Sequence, residues 1–562
     1  MATAAPAPIN PIIPGFSPDP SMVKVGDWFY LVNSTFHMFP GLPIYASQDL
    51  LSWKQIGNAI HRQSQLSLAK ADTRLTPLYD DDGRLTEVMA CTGGLYAPTL
   101  RYHNGTFYVV CTNVIHDTRP VGAGQQPQDT TENFVVSTQD IWNGSWSDPV
   151  YFAFRGIDPS LFFDDDDKGR VYIQGSAAPG PFTKINQFEL DLATGAALSD
   201  ERTVWTGTGG IYPEGPHMYK RHGWYYLLIS EGGTHEGHMI TMARSRDIWG
   251  PYTACPHNPI LTARGTDEYI RYTGHCDVLE DGAGQWWGVC LGVRKDAGGR
   301  FVLGRESFLT RGQWDDDDWL SLERVKSNPS GLAVKDAAGG RGRGGPLAAA
   351  VQPNIDFLYI RDAHLDNYKL SDDDDGSGSG SKKVTLTATP VDLAAPYESP
   401  TFVGKRQRRL DGAASVVAAF ASDVTNPKTW TAWTAAQLKC GLAVFKDEHR
   451  YVRIFVDAST DKAAVVFEFV NAAQKRSKTT RHELLGTEKL GSLSLRIEYT
   501  EQEYRLLYAC TYTTEPSRES WTCLDVVDTL HMTDPDFVGP VVGVFATSAS
   551  PVDVELFDLS ID

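Results

Sequence analysis

No run of eighteen apolar residues occurs in the 562-residue chain, so no transmembrane helix is expected and no membrane partner is read. A basic surplus is missing too: 51 Lys and Arg stand against 70 Asp and Glu, a net charge of −19. An acidic surface repels phosphate backbones, which argues against nucleic acid but lets neutral substrates approach. Cysteine is scarce. The eight residues, at 91, 111, 255, 276, 290, 440, 510 and 523, include no C-x-x-C or Cys/His zinc spacing. Most read as buried free thiols, whereas Cys510 and Cys523 flank a hairpin turn and are candidates to pair in an oxidising compartment. The opening MATAAPAPINP has neither a basic n-region nor an apolar h-region, so no signal peptide is read in it. The expectation is a secreted protein in mature or recombinant form, with a cytoplasmic protein as the alternative. N-x-S/T triplets at Asn33, Asn104 and Asn143 give weak support to secretion, the last two in turn-like settings.

What the chain does have is aromatic, glycine-punctuated β sequence. Its length exceeds what one core organises, so two or three domains are expected. Short Val/Ile/Tyr/Phe/Trp runs broken by Gly, Asn and Asp predict an all-β protein. Five segments share one pattern: PDPSMVKVGDWFYLVNST (18–35), APTLRYHNGTFYVVCTN (97–113), DPSLFFDDDDKGRVYIQGS (158–176), EGPHMYKRHGWYYLLISEG (214–232) and GHCDVLEDGAGQWWGVCLG (274–292). Each is a small or acidic residue, an apolar strand, a tight turn and an aromatic-rich strand, which is an antiparallel hairpin. Recurrence at roughly 60–80 residues leaves room for a four-stranded sheet per copy. The prediction is a five-bladed β-propeller over residues 1–330; unrelated hairpins in a sandwich are the alternative. GLAVKDAAGGRGRGGPLAAAVQPN (331–354) reads as a linker. Residues 355–562 alternate as in a β-sandwich, interrupted by the low-complexity SDDDDGSGSGSKK (371–383), read as a surface loop. The aspartate runs 164–167 and 315–318 read as solvated turns.

Inner strands of a propeller start beside its axis, so their first residues converge on one face. Those starts offer Asp19 in SPDPS, Asp158 in GIDPSLFF and Glu214 in YPEGPHMY. Pro18 and Pro20 restrict Asp19, and a following proline pushes a residue toward extended backbone, so Asp19 reads as an aimed carboxylate. Three converging acids raise one another's pKa, leaving one protonated beside one ionised. That is the equipment for hydrolysing a glycosidic bond. Acids that cap turns or hold a structural cation are the bland alternative; three in equivalent repeat positions make it the weaker one.

The motifs NPIIPGFSPDPS, FPGLPIYASQDLLSWKQIG, GIDPSLFFDD, YPEGPHMYK, TGHCDV and LGRESF together resemble glycoside hydrolase family 43. The resemblance spans nearly the whole chain and includes the C-terminal domain of the family's xylosidase and arabinofuranosidase branches. It implies an inverting enzyme with Asp19 as general base, Glu214 as general acid and Asp158 tuning that acid. Arg305 would contact the sugar, and Phe36 and Phe39 would wall its subsite. Tyr96 stands where many relatives carry tryptophan, which bears on the +1 side. His275 would line the site and help hold a structural calcium at the axis, although calcium prefers oxygen ligands. No cofactor is required for the chemistry. The implied activity is an α-L-arabinofuranosidase acting on arabinoxylan. An exo-β-1,4-xylosidase taking xylo-oligosaccharides, or a bifunctional enzyme, is the runner-up. A carbohydrate-binding protein with a degenerate site is a remote third, since all three acids are present.

Overall fold

The five repeats fold as hairpins, and the turn chemistry shows why. In the second, His103 pairs with Thr106 around Asn104 and Gly105, at φ +47° and +82°. In the fourth, Arg221 pairs with Trp224 around His222 and Gly223, at +48° and +72°. Two consecutive residues of positive φ make the turn whose twist suits adjoining strands. The computed structural model describes residues 8–79, 82–117, 129–165, 169–177, 180–316, 318–332, 354–373, 381–419, 428–460, 462–484, 490–512 and 520–562. Residues 333–353 of the linker and 374–380 of the low-complexity loop lie outside them. The flanks of that loop, Tyr368–Asp373 and Ser381–Ala388, pair as strands.

Each hairpin extends into an antiparallel sheet, giving the five blades of a propeller. Inner strands are Ser21–Val25, Gly94–His103, Gly156–Phe163, Glu214–Arg221 and Ile270–Glu280. Apolar clusters fill the space between neighbouring blades. Phe152, Phe154, Leu161 and Phe188 pack between blades two and three, and Tyr172, Trp205, Met218 and Ile229 between three and four. The ring closes at its termini. Ile12 N donates to Ser307 O, and Asn10 Nδ2 donates to Leu309 O, so the N-terminal segment runs along the blade-five strand Glu306–Gln313. Ile12, Ile13, Leu31, Trp287 and Leu309 then share one core.

The second compact unit contains two packed sheets. One orders Leu358–Ile360, Thr401–Arg406, Val541–Thr547, Lys439–Asp447, Arg450–Asp457, Ala464–Asn471 and Arg476–Glu483. The other orders Tyr368–Asp373, Ser381–Ala388, Val552–Ile561, Gly412–Ala419, Leu490–Tyr499, Glu503–Tyr512 and Thr522–Asp528. In Leu490–Tyr499, Leu493, Leu495, Ile497 and Tyr499 face the shared core, the period of two that the sequence shows. Packing divides the chain differently from a single cut at 331–354: residues 72–92 and 296–304 belong to this second unit. The reason for the first is visible. Thr73–Tyr79 and Leu85–Thr92 form a hairpin whose Thr73 N donates to Glu448 Oε1 at 2.6 Å. Glu448 in turn pairs with Arg361 at 2.8 Å, both side chains 1% exposed.

Three local expectations change. Asp164 is buried rather than solvated, accepting from Lys220 Nζ at 2.7 Å and Tyr225 Oη at 2.9 Å. Asp165, Asp315, Asp316 and Asp318 are exposed, and 166, 167 and 317 lie outside the described residues. Cys510 and Cys523 are free thiols, because Cys523 stands opposite Leu507, three residues short of Cys510. Asn33 is fully buried, its Nδ2 donating to Ser17 O, Pro18 O and Ser307 Oγ, so it carries no glycan in the folded chain; Asn104 and Asn143 are exposed.

Glu448→Ala takes from the buried Arg361 its carboxylate at 2.8 Å and leaves the guanidinium to the Ala395 and Glu398 carbonyls; breaking a buried ion pair costs about 3–5 kcal/mol. The urea midpoint of the C-terminal unit is expected to fall well below wild type, with Glu448→Gln in between. An unchanged midpoint for Glu448→Ala would show that this pair does not hold the hairpin.

Candidate active site

The inner strands of blades two to five break their ladders at one common place. The register shifts between Tyr96 and Thr99, Ile157 and Ser160, Glu214 and His217, and Gly274 and Cys276. One residue in each break is left-handed: Ala97 (φ +37°), Asp158 (+55°), Gly215 (+57°) and His275 (+46°). Blade one supplies Asp19 at +52°, with Ser34 N bonding Pro18 O beside it. A bulge of this kind re-aims a side chain out of the alternating pleat. Asp19 is therefore not extended, as its proline neighbours suggested. Pro20 disfavours right-handed backbone, and the bulge selects the left-handed well. Such backbone costs about 1–3 kcal/mol at a non-glycine residue and persists only where surroundings over-determine it.

The acids are also not in equivalent positions. Asp19, Ala97, Asp158, Gly215 and His275 are the equivalents, and Glu214 stands one residue ahead of its own blade's left-handed position. Glycine at 215 is required by space. A Cβ there would lie 2.9 Å from His275 Nδ1.

The structure brings most of the predicted residues together. Asp19 accepts from Ser34 Oγ at 2.6 Å and from Arg305 Nη1 at 3.2 Å. Ser34 is itself fixed by Ala97 N at 2.7 Å. Asp158 Oδ2 accepts from Gly215 N at 3.0 Å. Arg305 Nη1 also reaches Thr234 Oγ1 at 3.0 Å, and its guanidinium lies 5.4 Å from the Phe36 ring. Tyr96 stands beside Phe36, ring centroids 4.7 Å apart. His275 N donates to Ser230 Oγ at 2.7 Å. Phe39, buried on the short strand Met38–Phe39, makes none of these contacts. Asp19, Asp158, Arg305 and His275 are each under a tenth exposed.

Burial and charge separate the acids' tasks. Burial pushes Asp158 up to about 6; the Asp19 charge adds to this, and His275, the Gly215 N–H and Arg305 oppose it. Glu214 is raised well above the carboxylate range, by burial first, then by Asp158 and Asp19. Glu214, pushed toward its protonated form, thus faces Asp19, whose oxygens accept from a guanidinium and a hydroxyl. That pairing can deliver a proton at one point and take one at another.

Two residues further along each inner strand comes a second polar layer: Ser21, Thr99, Ser160, His217 and Asp277, all buried. Arg101 Nη1 donates to Asp277 Oδ2 at 2.7 Å, Ser21 Oγ to the same oxygen at 2.6 Å, and Tyr219 Oη to Oδ1 at 2.6 Å. Burial alone would raise Asp277, yet the Arg101 charge, His217 and the hydrogen bonds from Arg101 and Ser21 together outweigh it and hold the carboxyl far below its usual range. The residues around His275 do not fit the implied calcium. Among the described residues no group of three or more His, Cys, Asp or Glu is arranged to hold a metal, and both Asp277 oxygens are already taken. Ser34, Thr234, Gly215, Arg101, His217 and Asp277 were missed in the sequence. Aligning the repeats on the residue before proline, rather than on the acids, finds Gly215 and, two residues on, His217; blade five has no such proline and Arg101 lies outside that layer, so this alignment finds neither Asp277 nor Arg101.

Residues 8–320 match the family described as Glycosyl hydrolases family 43, and 379–560 match the Beta xylosidase C-terminal Concanavalin A-like domain. A non-reducing end alpha-L-arabinofuranosidase of Bacteroides ovatus is 32% identical over 98% of this chain and 94% of its own length. A xylosidase/arabinosidase of Butyrivibrio fibrisolvens is 39% identical over 55% of each chain. Among solved structures, the Bacteroides ovatus xyloglucan PUL GH43B protein superimposes with TM-score 0.75 at 30% identity, covering 98% of this chain and 99% of its own. A xylan beta-1,4-xylosidase of Bacillus halodurans reaches 0.76 at 26%, covering 99% and 100%.

Asp158→Asn removes the largest charge contribution that raises Glu214. Glu214 then ionises at lower pH, and the alkaline limb of kcat/KM is expected to move toward acid. Stability moves the other way. Asp158 is raised in the fold from 3.8 to about 6, so its ionisation destabilises the fold above pH 3.8, fully so above pH 6. Asp158→Asn should therefore raise Tm at pH 8 and leave it unchanged near pH 3. An unmoved alkaline limb would uncouple the two acids.

Proposed function

We propose, from the premise that this chain belongs to glycosyl hydrolases family 43, that it is an inverting α-L-arabinofuranosidase removing arabinofuranosyl side chains from arabinoxylan. The observation that carries the catalytic reading is the division of labour in one pocket. Glu214 is raised well above the carboxylate range while Asp19 is paired with Arg305. In this reading Glu214 gives its proton to the leaving oxygen as the glycosidic bond breaks. Asp19 takes a proton from the water that attacks the anomeric carbon from the opposite face. The products are a free sugar of inverted configuration and the debranched chain, and solvent resets both carboxyls. Asp158 keeps Glu214 protonated and, through the Gly215 N–H, holds the bulge that aims it. Arg305 keeps Asp19 in place and offers donors to sugar hydroxyls, and Phe36 with Tyr96 forms an apolar wall for a pentose face.

The full-length likeness to an α-L-arabinofuranosidase favours arabinose over xylose. A second reading, β-xylosidase or both activities, has support from the xylosidase/arabinosidase and xylan xylosidase relatives. The decisive measurement is the monosaccharide released from wheat arabinoxylan, from xylobiose and from an arabinosylated xyloglucan. Arabinose from arabinoxylan with xylobiose intact is expected. Xylose from xylobiose supports the second reading, and arabinose from xyloglucan alone moves the polymer assignment. Asp19→Ala and Glu214→Ala should each lower kcat by roughly 10²–10⁴-fold on unactivated substrate. Glu214→Ala should lose much less on an aryl glycoside whose leaving group needs no proton. Wild-type rates for either variant on the natural linkage would refute the base and acid roles of Asp19 and Glu214.

A further inference from the structure

The layer beneath the carboxylates contains a group that none of the expected roles uses. Arg101, from blade two, places its guanidinium against residues of three other blades. Nη1 donates to Asp277 Oδ2 of blade five at 2.7 Å and to Ser21 Oγ of blade one at 3.3 Å, and Nη2 lies 2.9 Å from His217 Nδ1 of blade four. Asp277 is otherwise saturated, by Ser21 Oγ, the Met22 and Val278 amides and Tyr219 Oη. The Asp277 and His217 side chains are 1% and 2% exposed, and Arg101 keeps 15%. The guanidinium thus ties residues of four blades to one buried carboxylate.

The same contacts set the chemistry of His217. A guanidinium has only donors, so His217 Nδ1 must accept from it, and the ring proton resides on Nε2. Nε2 is buried without a hydrogen-bond partner in the protein. An imidazole that presents N–H instead of a lone pair repels a metal ion. Above it, the His275 ring meets the His217 ring edge to face with centroids 6.4 Å apart, and His275 acts on Asp158 electrostatically.

We propose that the Arg101 guanidinium, paired with Asp277, is this chain's built-in axial cation: it replaces a divalent ion and is a positioning residue that holds His217, and through it His275, behind Asp158 and Glu214. The inference uses the catalytic reading above only for its kinetic readout; thermal stability and metal content test it independently of which sugar is cleaved.

The test uses the full chain with any arabinoside or xyloside it hydrolyses. Wild type is expected to hold no stoichiometric calcium by atomic emission. Its Tm and kcat should be the same in EDTA and in excess CaCl₂. Arg101→Ala should lower kcat by at least about tenfold with KM within about twofold, the pattern of a misplaced catalytic group rather than a lost binding contact. Arg101→Lys restores the charge without the fork that spans Asp277 and His217, and should fall between the two. Loss of Tm or activity on chelation with recovery on calcium would overturn the proposal, as would Arg101→Ala with wild-type kcat. If Arg101→Ala does not fold, the chelation result and the Arg101→Lys rate decide: a chelation-sensitive wild type or an unimpaired Lys variant refutes the assignment.

Discussion

Everything at the candidate site depends on one backbone constraint, the left-handed residue at which each inner strand leaves its ladder. A regular strand would alternate its side chains between the two faces of a blade and send few of them down the axis. The break turns the left-handed residue of each blade toward the common funnel. In four blades a proline occupies the next position, at 20, 98, 159 and 216, where it denies the preceding residue right-handed backbone and gives up no needed N–H. The strain is tolerated because the surrounding bonds leave little choice. Asn33 ties down both carbonyls ahead of Asp19, and the Gly215 amide is fixed on Asp158.

Five equivalent positions converge, yet only two of them carry acids. Alanine, glycine and histidine occupy the others, and this inequality makes the pocket workable. Five carboxylates at one mouth would repel beyond what burial tolerates. Ala97 contributes an amide that steadies Ser34 on Asp19, and Gly215 contributes an amide to Asp158 and room for the His275 ring. The third acid enters from one residue upstream, outside the equivalence. Glu214 therefore faces the other two acids from its own direction, and its environment differs enough for it to hold a proton while Asp19 is paired.

Much of this was legible in the sequence. The hairpin repeats carry their turn residues at fixed offsets, so the number of blades and their order follow from pattern alone. The acids stand out because proline flanks are unusual for solvated charge. What the pattern could not supply was long-range: that 72–92 belongs with the second unit depends on Glu448, some 375 residues away, and no local propensity encodes it. Asp164 looked solvated because it sits in a run of aspartates, but Lys220 and Tyr225 of the next blade capture it. Phe39, which the family resemblance cast as a subsite wall beside Phe36, sits on its own short strand, whereas Phe36 stands against Tyr96 and Arg305. The axial Arg101 was overlooked for a related reason. A lone arginine in an apolar strand carries no local signal, and its partners come from three other repeats.

The site and the closure of the ring are one structure. Asp19 and Arg305 are 286 positions apart, at opposite ends of the propeller sequence. The bonds between their neighbours close the ring: Ser17 N to Arg305 O, Ser307 Oγ to Ser17 O, Asn33 Nδ2 to Ser307 Oγ, and Gly15 N to Glu306, which Arg294 holds from the other side. The guanidinium therefore reaches the aspartate only after blade five has met blade one. A chain with four blades docked still has Asp158, Glu214 and their mutual repulsion, and the Ser34 hydroxyl on Asp19, but no counter-charge for it. Placing that carboxylate's counter-charge on the last blade makes completion of the ring the condition for its pairing, so the left-handed Asp19 gains its full set of partners only in the finished propeller.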